Sequence, residues 1–142
     1  AVLESGVADA KLVHLALHAS VNTRAPWETQ LRLGDGPLAL RRVLSLKLGA
    51  QLVLLSACQS GVGGDGSGSA SLARAFQLAG ARRVLSTLWR VSDLATAVVV
   101  KRFVRELARG RDPAVALQQT RLALIARWPH PAFWAGLRLH GL

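Results

Sequence analysis

The sequence predicts an α/β domain built on a mainly parallel sheet, and three observations carry that expectation. Apolar runs of strand length recur at residues 12–17, 51–57 and 83–88. Segments with helical periodicity separate them, as crossovers between parallel strands require. The central run contains LVLLSA, which is apolar at positions of both parities, the pattern of a strand covered on two faces.

Each element follows in order. The first strand, residues 12–17, carries His14 and leads into His18-Ala19-Ser20. A short edge segment around residues 29–33 precedes Asp35-Gly36, a turn signal. Leu40, Val43, Leu44 and Lys47 step at helical intervals and predict a helix over residues 37–48. The second strand runs into Cys58 and a glycine-rich loop at 61–68. A helix follows at 69–79, where Leu72, Ala75, Phe76 and Ala79 share one face, and Gly80 stops it. The third strand feeds Trp89-Arg90-Val91-Ser92-Asp93, with Trp89 read as a packing residue. Ser92 or Asp93 caps a helix that continues to about Ala108 and ends at Gly110. Asp112-Pro113 opens another, a cap followed by proline in the first turn. Its apolar stripe is Ala114, Leu117, Leu124 and Trp128. Residues 132–139 form a last strand, with Trp134 on its core face.

The 142 residues make one domain, residues 1–142, long enough to bury a core. An apolar content of 51% against 18% charge excludes a disordered tail. Arginine and lysine interrupt every apolar stretch before the roughly 18 residues of a membrane span, so no membrane partner is expected. The chain lacks methionine, and it is expected to be a piece of a longer protein. With one cysteine no internal disulfide forms, and the expected compartment is reducing and cytoplasmic. The net charge of +10 is nearly all arginine, scattered without interleaved aromatics or a reading motif. Direct nucleic-acid binding is therefore not expected.

In open α/β sheets, sites form beyond the carboxyl ends of the strands. If the first two strands are parallel neighbours about 5 Å apart, their ends bring His18 and Cys58 together. A thiol beside an imidazole serves nucleophilic chemistry, with the thiolate attacking and the histidine managing the proton. The backbone N–H groups of Ala19 and Cys58 are the candidate oxyanion donors. His14 is the rival to His18; the pleat of one strand would put both on the same face, and His14 is read as a hydrogen-bonded sheet-face residue. His130 and His140 carry no pattern, and no histidine shows metal-ligand spacing with Cys58. No cofactor or metal is called for. Gly61-Val62-Gly63-Gly64-Asp65-Gly66 matches G-x-G-x-x-G, but no acidic residue ends the next strand to hold a ribose. Asp93 reads either as a helix cap or as a carboxylate at the rim of the site.

Four stretches resemble the CHAT domain, a caspase-like domain often found with tetratricopeptide repeats, in the same clan as caspases and separases. His14-Leu15-Ala16-Leu17-His18-Ala19 is similar to the family's histidine strand, usually H-L-A-T-H-G. LVLLSACQSG, residues 52–61, is similar to its cysteine strand, usually V-V-L-S-A-C-E-T-G. Residues 71–92 resemble the helix and strand that follow, and residues 129–141 the terminal H-P-x-x-W segment. The resemblance implies a caspase-like α/β/α fold, and His18 and Cys58 rather than His14 as the catalytic pair. Forty positions separate these two, near the roughly 50 of caspases. Two departures stand out. Ala19 replaces the usual glycine, which strains the backbone if that position needs a positive φ. Family members also carry further strands upstream, so the sheet is expected to lack its first strands, and the domain to be the C-terminal part of a longer protein.

Three functions compete on these residues. The first is a cysteine endopeptidase acting on protein or peptide substrates, held latent by upstream repeats or a partner. The second is a catalytically inactive interaction module, favoured by Ala19 and the late start. The third is a nucleotide-binding domain using the glycine-rich loop. Under the first reading, Asp93 and then Asp65 select a basic residue before the cut, against a rival caspase-like preference for acid read by an arginine such as Arg90.

Overall fold

A computed structural model describes residues 7, 9–22, 24–56, 72–89 and 92–141. Two sheets form among the described residues. The larger has strands β1 (Leu12–Leu15), β5 (Leu52–Leu55), β6 (Arg83–Thr87) and β7 (Leu137–His140), in the order β1-β5-β6-β7. The first three are parallel, with Leu15 opposite Leu55 and Leu55 opposite Ser86, and β7 runs antiparallel to β6. The smaller sheet is antiparallel, with β2 (His18–Ser20), β3 (Gln30–Leu33) and β4 (Gly36–Ala39) in that order. The fold is thus α/β with a mainly parallel main sheet, as the sequence predicts.

Side-chain alternation along β5 divides the core in two. Val53 and Leu55 join Val13, Leu15 and Val84 on one face. Against that face pack helix α1 (Leu40–Leu44), helix α2 (Leu72–Leu78) and the β3–β4 hairpin, through Val43, Phe76, Leu31 and Leu38. Leu52 and Leu54 join Leu85 and Leu137 on the other face. There the cover is helix α3 (Asp93–Ala108) and helix α4 (Pro113–Ile125), through Val99, Phe103, Ala116, Leu117 and Leu124. All four residues of β5 are buried, which is why its run carries no polar parity. The result is three layers, helices on both faces of the sheet, as the caspase-like resemblance implies.

The helix ends match their signals. Gly80, at φ 110°, follows α2 with its N–H on the Gln77 carbonyl and that of Ala81 on the Phe76 carbonyl, the two bonds of a Schellman stop. Gly110 repeats the pattern after α3, with Gly110 N–H on Leu107 and Arg111 N–H on Glu106. Asp112 caps α4 by accepting from the Ala114 N–H at 2.9 Å. The stripe of α4 is shifted from the expected one: Ala114 is exposed, and Ala116 and Thr120 are buried with Leu117 and Leu124.

Three elements differ from expectation. The strand predicted over 12–17 stops at Leu15, because residues 16 and 17 leave the main sheet so that β2 can join the smaller one. The helix predicted over 37–48 is confined to Leu40–Leu44. Its first three residues instead pair with β3, on an edge strand where the missing N–H of Pro37 is tolerated. The last strand begins at Leu137; before it, Pro131–Phe133 form a 3-10 turn opened by His130, whose ring Nδ1 accepts from the Ala132 N–H.

Among the described residues no helix is long and apolar enough to cross a membrane. One buried charge is held by two others. Glu106 accepts from Arg109 at 2.8 Å, and its second oxygen lies 2.9 Å from Arg111 as an ion pair.

Candidate functional site

The carboxyl ends of β1 and β5 point the same way because the strands are parallel. The Ser56 N–H bonds to the Leu15 carbonyl at 3.0 Å and extends that pairing one rung past β5. Beyond this edge lies a cavity of about 450 Å³. It collects His14, His18 and Arg32 from the strands, Ser56 from the end of β5, and Asp93 and Thr96 from the first turns of α3. The placement is the one expected of an open α/β sheet.

His18 opens β2 and is exposed, opposite Arg32 across the β2–β3 pair. Ala19 follows within the strand, opposite Leu31. Its backbone is extended, a conformation alanine adopts without strain. His14 lies on β1, and its Nε2 is 3.1 Å from the Ser56 hydroxyl. Burial lowers its pKa from the ordinary 6.5 and favours the neutral ring. It is thus the hydrogen-bonded sheet-face residue that the sequence suggests, yet it shares the cavity with His18. The two do not sit on one strand face, since the chain breaks between them into two sheets.

Ser92 occupies the cap position of α3, with its side chain making no capping bond. Asp93 is the first helical residue, exposed, with its carboxylate at the positive end of the helix. It lines the cavity with His18. Trp89 is exposed rather than packed, and Trp134 is half-buried against the α3–α4 side of the core. Cys58, Asp65, Arg90 and the motif at 61–66 lie outside the described residues. Among the described residues no three acidic, histidine or cysteine side chains cluster as a metal site.

Sequence reasoning misses three polar lining residues, Arg32, Ser56 and Thr96. Arg32 reaches the cavity because the β2–β3 register sets it opposite His18. The Asp35-Gly36 turn signalled that hairpin, but not which strand β3 would pair with. In the sequence Ser56 reads only as part of the central run, and Thr96 carries no signal beyond its place in a helix. The cavity therefore holds charges of both signs, Arg32 and Asp93.

The chain is similar to two curated proteins. It is 34% identical over 102 residues to tetratricopeptide repeat protein 28 of Mus musculus. It is 36% identical over 104 residues to tetratricopeptide repeat protein 28 of Homo sapiens. Each alignment covers 70% of this chain and 4% of the relative, so the chain spans a small fraction of the proteins it matches. The family model described as CHAT domain matches residues 1–141, and with that match across the chain the protein belongs to the CHAT domain family, a caspase-like family.

Proposed function

We propose that this chain is a cysteine endopeptidase domain, with Cys58 as nucleophile and His18 as its acid–base partner. The observation that carries the reading is that His18 and Ser56 line one cavity at the carboxyl edge of the parallel strands. Cys58 follows Ser56 by two residues, and two residues of chain reach no further than about 7 Å. Membership of a caspase-like family supports the same pair.

The chemistry is acyl transfer. His18 takes the thiol proton, and the Cys58 sulfur attacks the scissile carbonyl carbon. The oxyanion accepts hydrogen bonds from the backbone N–H groups of Cys58 and Ala19, donors that need no side chain. The tetrahedral adduct collapses, the C–N bond breaks, and His18 returns the proton to the leaving amine. Water activated by His18 then hydrolyses the thioester.

Asp93 is the first candidate to hold a basic side chain before the cut, and Asp65 the second. Where the bound substrate partly buries the carboxylate, a charge-assisted contact of about 1.5–3 kcal/mol outweighs screened long-range repulsion from the basic domain. Arg32, in the same cavity, is the group that would favour an acid instead. The named relatives carry tetratricopeptide repeats, and we place such repeats upstream of this domain as a regulatory module that keeps it latent in the cytoplasm.

The test is cleavage of a diverse peptide library by wild type, Cys58→Ala and His18→Ala, in the presence of any activating upstream segment. Either substitution should reduce turnover by roughly 10³-fold or more, and cut sites should carry Arg or Lys before the bond unless Asp93 is replaced by alanine. Equal cleavage by wild type and Cys58→Ala sinks the proposal; cleavage after Asp in the wild type removes the role of Asp93.

A further inference from the structure

Away from this cavity, helices α3 and α4 leave a groove of about 660 Å³ that reaches the turn carrying Phe133. Its floor is apolar and includes Leu94, Val98, Trp128 and Phe133. Leu94 is 77% exposed and Phe133 44%, although side chains of this kind elsewhere fill the core. Its rim is basic: Lys101, Arg102 and Arg105 from α3, and Arg127 from α4, all exposed. No acidic side chain lines the groove among the described residues. Of the acids of α3, Asp93 lines the strand-end cavity instead, and Glu106 is paired with Arg109 and Arg111. Helix α4 has none.

On α3 the lining residues recur at helical spacing from Leu94 through Val98 and Arg102 to Arg105. That is one stripe, apolar in its first half and basic in its second. It runs about 16 Å along the axis, the length of three helical turns. At the far wall the Arg127 guanidinium lies 5.5 Å from the Trp128 ring centre, so cation and apolar floor meet at one point. Exposed apolar floor calls for apolar anchors, and four cations with no acid beside them among the described residues call for carboxylates around them.

We propose that the α3–α4 groove docks an amphipathic helix of a partner protein, with leucine or phenylalanine anchors on one face and glutamate or aspartate on the rest. The mode is helix-in-groove recognition, anchors at i, i+3, i+4 and i+7 entering the floor while carboxylates meet the rim. Trp and Arg are the residue types that concentrate binding energy at such surfaces. A nucleic acid would meet the rim but leave Leu94 and Val98 without apolar partners.

The experiment measures fluorescence anisotropy of a fluorescein-labelled peptide titrated with the 142-residue chain. The probe is a Leu/Glu helix of about five turns with leucines on one face. A control peptide has the same composition scrambled so that no face is apolar. Saturable binding is expected, weaker by roughly tenfold or more for the scrambled peptide, for Arg102→Glu/Arg105→Glu and for Leu94→Ser, and weakening as salt screens the rim. The substituted side chains are exposed, and unchanged melting temperatures will show that the variants are folded. The proposal is overturned if the helix does not bind, if the scrambled peptide binds equally, if folded Arg102→Glu/Arg105→Glu binds as wild type, or if a DNA duplex binds more tightly than the helix.

Discussion

His14 and His18 lie four positions apart and do different things. His14 is tied to Ser56 across the β1–β5 pair, and burial holds its pKa below the ordinary 6.5. His140 behaves alike on the opposite side of the sheet: its Nε2 lies 2.7 Å from the Ser86 hydroxyl, and burial first, then the Arg138 charge, lowers its pKa from 6.5. Both rings take a proton more readily in the unfolded chain than in the folded one. The stability this contributes is fully present above 6.5 and is lost as pH falls through the lowered folded values. The Asp112 carboxyl, lowered from 3.8 chiefly by the Arg83 hydrogen bond, acts below this window. The melting temperature should therefore fall between pH of about 7 and about 5, before the carboxylate range is reached. His14→Gln/His140→Gln should flatten that slope. Constant stability down to a pH of about 4.5 in the wild type would show that neither ring resists protonation.

At the scale of the element, helix stops were the most legible features and pairing partners the least. A stop is a local event. Gly80 and Gly110 announce one because few other residues accept a positive φ after a helix, and both end helices where the sequence says they should. Asp112-Pro113 is equally local and opens α4 as read. Residues 37–48 misled for the opposite reason. Their helical spacing is real, but Pro37 and Leu38 are claimed by β3, and strand pairing is invisible to periodicity. The same non-local register brings Arg32 beside His18, which is why one half of the cavity's charge is not legible in the sequence, while His18 and Asp93 both follow from strand ends. Gly80 also does more than end α2. A Cβ there would collide with the backbone carbonyl of Leu48, in a segment bonded to Ala79 through the Leu48 N–H at 2.8 Å. Gly80→Ala must combine a strained φ with that clash, at a cost of about 1–3 kcal/mol or more. Thermal unfolding should show a drop on the order of 5 °C; an unchanged midpoint would mean that the turn relaxes freely and that Gly80 matters only as punctuation.

Across the whole molecule, charge is the least balanced property. Eighteen lysine and arginine residues face eight acids, so even complete pairing would leave ten cations without a counter-charge. Among the described residues two acids are held in ion pairs, Glu106 with Arg109 and Arg111, and Asp112 with Arg83. The apolar cores on the two faces of the sheet hold the fold together against the remaining self-repulsion, which favours expanded states. Salt acts on both terms with opposite signs. It weakens the exposed Arg83–Asp112 pair, but contributes little against Glu106, whose side chain is almost fully buried. It also screens the repulsion among the many unpaired cations, and these outnumber the pairs. Raising ionic strength from about 0.01 M to about 0.15 M shortens the screening length from about 30 Å to about 8 Å, less than the span of the domain. The melting temperature should rise over that range, while the docking of an acidic helix in the α3–α4 groove should weaken over the same range. A melting temperature that falls with added salt would show that the few ion pairs, rather than the excess of arginine, dominate the electrostatics of this fold.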